Sequence, residues 1–150
     1  MTAFPHRYDV HLDGGPVGYA RMSSPGLPDL RAAPPAQFGG PGDAWSPEHL
    51  LLASVQSCFL FTLRAVARAS QLTFTHLELD VAGIVERRDH VTRFTSILLR
   101  PTLGVEPGTN LDRVHQVLER SKQACLVSAS LATPVQLDAK IVETGVANLV

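Results

Sequence analysis

Cysteine and charge are both scarce in this chain. Only two cysteines occur in 150 residues, at positions 58 and 125, too few for the disulfide framework of a small secreted domain. In a reducing compartment a structural bridge is not expected, so the two thiols are either inert core residues or redox-active. Charged side chains make up 18% of the sequence, and thirteen Lys and Arg against fourteen Asp and Glu leave a formal net charge of -1. No uniform basic field exists to attract nucleic acid or an acidic membrane surface, and neither is expected as a partner. The low charged share leaves little with which to solvate a large free surface, which leans towards an oligomer.

Long apolar runs are missing as well. No stretch approaches the roughly eighteen apolar residues that span a bilayer, and the opening Met1-Thr2-Ala3-Phe4-Pro5 lacks the charged-then-apolar pattern of a signal peptide. A cytoplasmic protein is expected. None of the six His falls in a Cys-x-x-Cys or His-x-x-x-His frame, so a metal site is poorly supported. The loop Gly39-Gly40-Pro41-Gly42 precedes a helix start but lacks the Lys-Ser/Thr pair of a phosphate loop. No cofactor is called for.

What is present reads as one domain, long enough to bury about 68–70% of its unfolded surface. Glycine and proline crowd the first 45 residues, and the pieces between the turns, Tyr8–Leu12, Gly18–Ser23 and Asp29–Ala33, fit short antiparallel strands. Ser46-Pro47-Glu48 is a strong helix start: Ser caps, Pro suits the first position, and Glu complements the dipole. From Leu50 to Ala69 apolar residues fall on nearly every face, which predicts a helix buried on most sides, and its polar interruptions argue against a membrane span. A β-hairpin follows, with Leu77–Val81 and Val91–Leu99 around a turn at Arg87–His90. Leu111, Val114 and Leu118 recur at helical spacing behind Thr109 and Asp112, which suit a capping arrangement, and the helix is expected to run to about Ala124. A short turn of helix at Ser128–Leu131 and a closing strand over Val135–Ile141 complete a segregated α+β arrangement.

Cys58 sits mid-way along the most apolar helix, where a free thiol usually just packs. Cys125 lies at a helix end among small residues, where a following helix could offer amide donors to the sulfur. The residues alone leave inert and reactive roles open for both. His49, on the first turn of the long helix, reads as a partly exposed polar residue rather than a base.

The combination Phe38-Gly39-Gly40-Pro41-Gly42-Asp43-Ala44-Trp45-Ser46-Pro47-Glu48-His49-Leu50-Leu51, then Ser57-Cys58-Phe59, then Cys125-Leu126-Val127-Ser128 resembles the OsmC/Ohr family, and the order of elements extends the likeness over nearly the whole chain. The resemblance implies antiparallel sheets around a long buried central helix, assembled as an intertwined homodimer. It also implies a peroxidase acting on organic hydroperoxides, in which Cys58 attacks the peroxide, Cys125 resolves the sulfenic acid, and an external dithiol restores both thiols. Glu48 matches the family's glutamate that holds an activating arginine. About 15 Å of helix separates Glu48 from Cys58, so the carboxylate acts only by orienting a long side chain. Here the chain departs from the pattern: the expected arginine positions hold Gln37 and Pro16, with Arg21 and Arg31 as nearby candidates. Two other readings remain: a non-peroxidatic member of the same fold that binds a small apolar ligand or senses redox state, and a structural protein with two core cysteines.

Overall fold

The structure, a computed structural model, describes residues 3–144. The chain forms two compact units, the first running to Leu51 and the second starting at Leu52.

In the first unit, β1 (His11–Asp13), β2 (Ala20–Ser23) and β3 (Leu30–Ala32) form an antiparallel sheet in that order. The pairing sets Leu12 opposite Met22 and Arg21 opposite Arg31. β1 starts later than the Tyr8 expected from composition. Its last rung joins His11 to Ser23, and beyond it the partner turns away at Ser24-Pro25, where proline has no N–H to continue a ladder. After β3 the chain makes a 3₁₀ turn at Ala36–Phe38 that ends on Gly39 in the left-handed region, φ 79°. Gly40 follows because nothing larger fits: an added Cβ would lie 1.6 Å from the Pro34 carbonyl oxygen. The loop returns at Trp45, whose carbonyl accepts from Ala33 N at 3.0 Å.

That return sets Ser46, fully buried, at the head of α1 (Pro47–Ala69). Ser46 Oγ accepts from His49 N at 3.2 Å and contacts His49 Nδ1 at 2.9 Å, the N-cap role its sequence position predicts. His49 itself is exposed and presents an edge to Trp45.

The second unit is built on a long hairpin, β4 (His76–Arg88) and β5 (Val91–Val105). Asp89 and His90, both at positive φ (50° and 64°), make the two-residue turn, the mirror-image type whose twist suits paired strands. Both strands outrun their expected limits. In β5 the inward alternation of Ile97, Leu99, Leu103 and Val105 continues past the expected end at Leu99 and straight across the buried Pro101. The proline leaves its mark on the other edge. β6 (Val135–Leu137) and β7 (Lys140–Glu143) both pair with β5, opposite Ile97–Leu99 and Thr102–Val105 respectively. The single closing strand expected over Val135–Ile141 is thus two pieces, broken where Pro101 has no N–H to donate. Both run parallel to β5, because the crossover through α2 (Leu111–Ala124) and α3 (Leu126–Ala129) brings the chain back to the start of the strand. The α+β class stands, with antiparallel pairing in the hairpin and parallel pairing on its far edge. α2 is capped by Asn110, whose side chain accepts from Arg113 N at 3.1 Å, in place of the expected Thr109 and Asp112. α3 begins two residues before the expected Ser128.

Val55, Phe59, Leu63 and Ala67 recur every four residues along α1 and are buried. They join the β5 alternation and Val114, Val117 and Leu118 of α2 in one core cluster. Gly83 of β4 permits a close approach, since a Cβ there would meet Phe94 at 2.6 Å and Leu52 at 2.9 Å. Within the single chain α1 is therefore buried along one stripe, not on most sides: one sheet and one helix can cover only one side of it. Phe61 on the uncovered side is 59% exposed. With 23 residues and a mean hydropathy of 1.7 in its most apolar stretch, α1 is also long and apolar enough to cross a bilayer by those measures alone. Its buried stripe instead belongs to the core of the second unit.

Replacing Leu63, fully buried, with Ala is expected to destabilise the fold by about 2–5 kcal/mol, the usual range for a core truncation. Ser46→Ala removes the α1 cap and is expected to cost about 0.5–2 kcal/mol. Urea midpoints of the two variants against wild type check both values and their order.

Candidate functional site

Cys58 lies on α1 beside the buried stripe, on the same face as Thr62 one turn later; its Sγ is 4.0 Å from Thr62 Oγ1. It is partly exposed and opens into a shallow cleft of about 510 Å³ walled by Ser54, Ser57, Phe61, Thr62, Ala65 and Val127. Ser54, Ser57 and Thr62 bring three hydroxyls to an otherwise apolar wall. Ser57 turns its own back into the helix, donating to Ala53 O at 2.9 Å, so it leaves the sulfur free.

Cys125 is the residue between two helices. It ends α2 and starts α3 with extended backbone, φ -66° and ψ 112°, and it is fully buried. Ser128, one turn on, donates its hydroxyl to Cys125 Sγ at 3.3 Å. The fold carries this thiol to the neighbourhood of Cys58, and each free thiol shifts the titration of the other.

Burial pushes the Cys58 thiol up, but four donors together outweigh it and bring the thiol below its ordinary range. In order of effect they are the Val127 N–H, the Cys125 thiol, the Thr62 hydroxyl and the Leu126 N–H. The two amides belong to the first turn of α3, where no intrahelical carbonyl is available to accept from them. Cys125 is displaced the opposite way, raised first by burial and further by its contact with Cys58, against the lowering effect of Ser128. The pair is thus divided into a partly exposed, more acidic thiol and a buried, less acidic one.

Glu48 is placed in the first unit, on the opening turn of α1. Its Oε2 is buried and accepts no hydrogen bond from any described residue. The arginines considered as its partners are taken: Arg21 pairs with Asp29 at 3.2 Å, and Arg31 pairs with Asp43 at 3.6 Å while lying over the Tyr19 ring. The structure therefore sets Cys58 near Cys125, and among the described residues Glu48 pairs with no guanidinium. Sequence reasoning missed Thr62 and the receiver of the α3 amides, which it assigned to Cys125. The spacing of Cys58 and Thr62, one helical turn apart, was the available signal for the first.

A family model described as OsmC-like protein matches residues 40–140, more than half of the chain. Among curated proteins, YmaD of Bacillus subtilis (strain 168) is 26% identical over 106 residues, covering 69% of this chain and 71% of its own. Among solved structures, an OsmC-like protein of unknown function from Vibrio cholerae matches with a TM-score of 0.82 at 13% identity, over 90% of this chain and 99% of that one. A Legionella pneumophila protein described as an organic hydroperoxide resistance protein matches with a TM-score of 0.73 at 20% identity, over 93% and 98%. At these identities the structural matches establish the fold, and the family match adds the lineage: this chain belongs to the OsmC-like protein family.

Proposed function

We propose that the protein is a cysteine-based peroxidase that reduces organic hydroperoxides to alcohols. The observation that supports this most strongly is the proximity of a partly exposed Cys58 thiol of lowered pKa to the buried Cys125 thiol, whose pKa is raised in part by it. In this reading the Cys58 thiolate attacks the terminal peroxide oxygen and the O–O bond breaks. The alkoxide leaves and is protonated to the alcohol, and Cys58 becomes a sulfenic acid. The Cys125 thiol then displaces water from that sulfur, forming the disulfide. An external dithiol reduces it, leaving its own sulfurs oxidised and both protein thiols restored. A reducing cytoplasm suits such a cycle.

Activation in this scheme comes from neutral donors. The Val127 and Leu126 amides and the Thr62 hydroxyl stabilise the thiolate, a role that an arginine held by Glu48 would otherwise fill. Substrate preference follows from the cleft, where Phe61, Ala65 and Val127 offer apolar contact. Each methylene buried there contributes about 0.8 kcal/mol, which hydrogen peroxide cannot supply. The relative named for organic hydroperoxide resistance supports the same class of substrate. We further propose a homodimer, in which a second copy covers the side of α1 that one chain leaves open.

With a dithiol present, cumene or tert-butyl hydroperoxide should be consumed faster than hydrogen peroxide, and Cys58→Ser should abolish turnover. Cys125→Ser should still form one sulfenate per chain, trapped by dimedone. Wild type that consumes no organic hydroperoxide with any dithiol would favour the ligand-binding or redox-sensing reading.

Alkylation of Cys58 by iodoacetamide follows its thiolate, so the rate should rise with pH through a midpoint below the roughly 8.5 of a free cysteine. Thr62→Val removes one donor and should move that midpoint upward. A wild-type midpoint at or above the free value would contradict the activation scheme.

Sedimentation in dilute solution checks the assembly, with a dimer expected and a stable monomer the contrary result.

A further inference from the structure

Cys125 has a neighbour to which the peroxidase cycle assigns no task. The thiol is fully buried, and burial is the first of the causes that push its pKa up. A thiol held in its protonated form is a poor nucleophile, because exchange at sulfur runs through the thiolate. Among the described residues no cation acts on it; the groups that do are Ser128 and Cys58. Cys58 works against ionisation, so Ser128 alone favours it.

The geometry of Ser128 suits that task. Serines on helices commonly return their hydroxyl to the carbonyl one turn back, and here Ser57 donates to Ala53 O at 2.9 Å, Ser121 to Val117 O at 2.7 Å and Ser130 to Leu126 O at 2.9 Å. Ser128 instead donates to Cys125 Sγ at 3.3 Å. Its own N–H acts on that sulfur in the same sense, with less effect than the hydroxyl. The first turn of α3 thus divides its donors, with the Leu126 and Val127 amides serving Cys58 and Ser128 serving Cys125. The turn is held in place, since Val127 and Leu131 pack against the core and Leu131 N donates to Ser128 O at 3.2 Å.

We propose, on the reading of Cys58 and Cys125 as a redox pair, that Ser128 prepares Cys125 for disulfide closure, its hydroxyl stabilising the thiolate as it forms. In closure the Cys125 sulfur bonds to the Cys58 sulfur while the S–O bond of the Cys58 sulfenic acid breaks. The Cys125 proton leaves with the departing hydroxyl as water. Negative charge passes through the buried sulfur during that exchange, and the Ser128 hydroxyl is already aimed at it.

Closure can be followed without peroxide, by mixing reduced full-length protein with one equivalent of dithiodipyridine. Cys58 takes the first thiopyridyl group, and Cys125 then displaces it, so the second thiopyridone released reports closure alone. At neutral pH Ser128→Ala should close about threefold slower or more, since each unit of rise in the Cys125 pKa costs about tenfold in thiolate and returns about threefold in nucleophilicity. The midpoint of closure rate against pH should move upward, and at alkaline pH the variant should match or pass wild type. Ser128→Thr, which keeps the hydroxyl, should restore both rate and midpoint. An unchanged profile in Ser128→Ala overturns the proposal, as does slowing by the same factor at every pH, the mark of displaced geometry rather than lost stabilisation. Wild type that releases no second thiopyridone overturns it too. The expected pattern in a protein that consumes no organic hydroperoxide would uphold the role of Ser128 and refute the peroxidase reading alone.

Discussion

Between α2 and α3 the backbone leaves helical geometry for a single residue, and the chemistry of the second unit depends on that residue being Cys125. Its extended conformation, φ -66° and ψ 112°, ends one helix and begins another. The break leaves the first amides of α3 without intrahelical acceptors, and two of them, from Leu126 and Val127, serve the Cys58 sulfur. The same break sets the Cys125 side chain near that sulfur. A continuous helix would keep those amides bonded to its own carbonyls, and Cys58 would be left with burial, which raises its pKa, and the Thr62 hydroxyl.

Such an arrangement works only if both halves are held still. Cys58 is fixed because its neighbours on α1, Val55, Phe59 and Leu63, are fully buried in the core. Cys125 is fixed through Val114, Val117 and Leu118 of α2, which enter the same cluster. β5 contributes the surface shared by both helices, an inward alternation that persists across Pro101 and for which the sheet gives up one continuous edge strand. The opposed pKa displacements of the pair follow from depth. The exposed thiol gains donors from α3, while the buried one loses solvent and faces its partner's developing charge.

Much of this was legible in the residues. Ser46-Pro47-Glu48 marked the start of α1 because capping is local chemistry, and the spacing of Leu111, Val114 and Leu118 marked α2 because one face is buried. The two cysteines stood out by scarcity and by the motif around them. Less legible were features set by tertiary pairing. The run of β5 beyond Leu99 depends on Pro101, which in the sheet faces the gap between β6 and β7. The late start of β1 depends on where its partner turns. That α1 is covered along one stripe only, despite apolar residues on nearly every side, depends on how much surface one chain can supply. The α3 amides serve Cys58 in place of Cys125, which no spacing along the chain could have shown. The free Glu48 oxygen was foreshadowed by Gln37 and Pro16 standing where an arginine was expected, but its burial needed coordinates.

The central claim is that Cys58 and Cys125 act as one redox unit within a chain. It is tested most directly by treating reduced protein with one equivalent of cumene hydroperoxide and mapping its peptides under non-reducing conditions. The account predicts a single crosslinked species joining the Cys58 and Cys125 peptides of the same chain, reversed by a dithiol. Recovery of both cysteines as free thiols, or a crosslink running only between different chains, would contradict it.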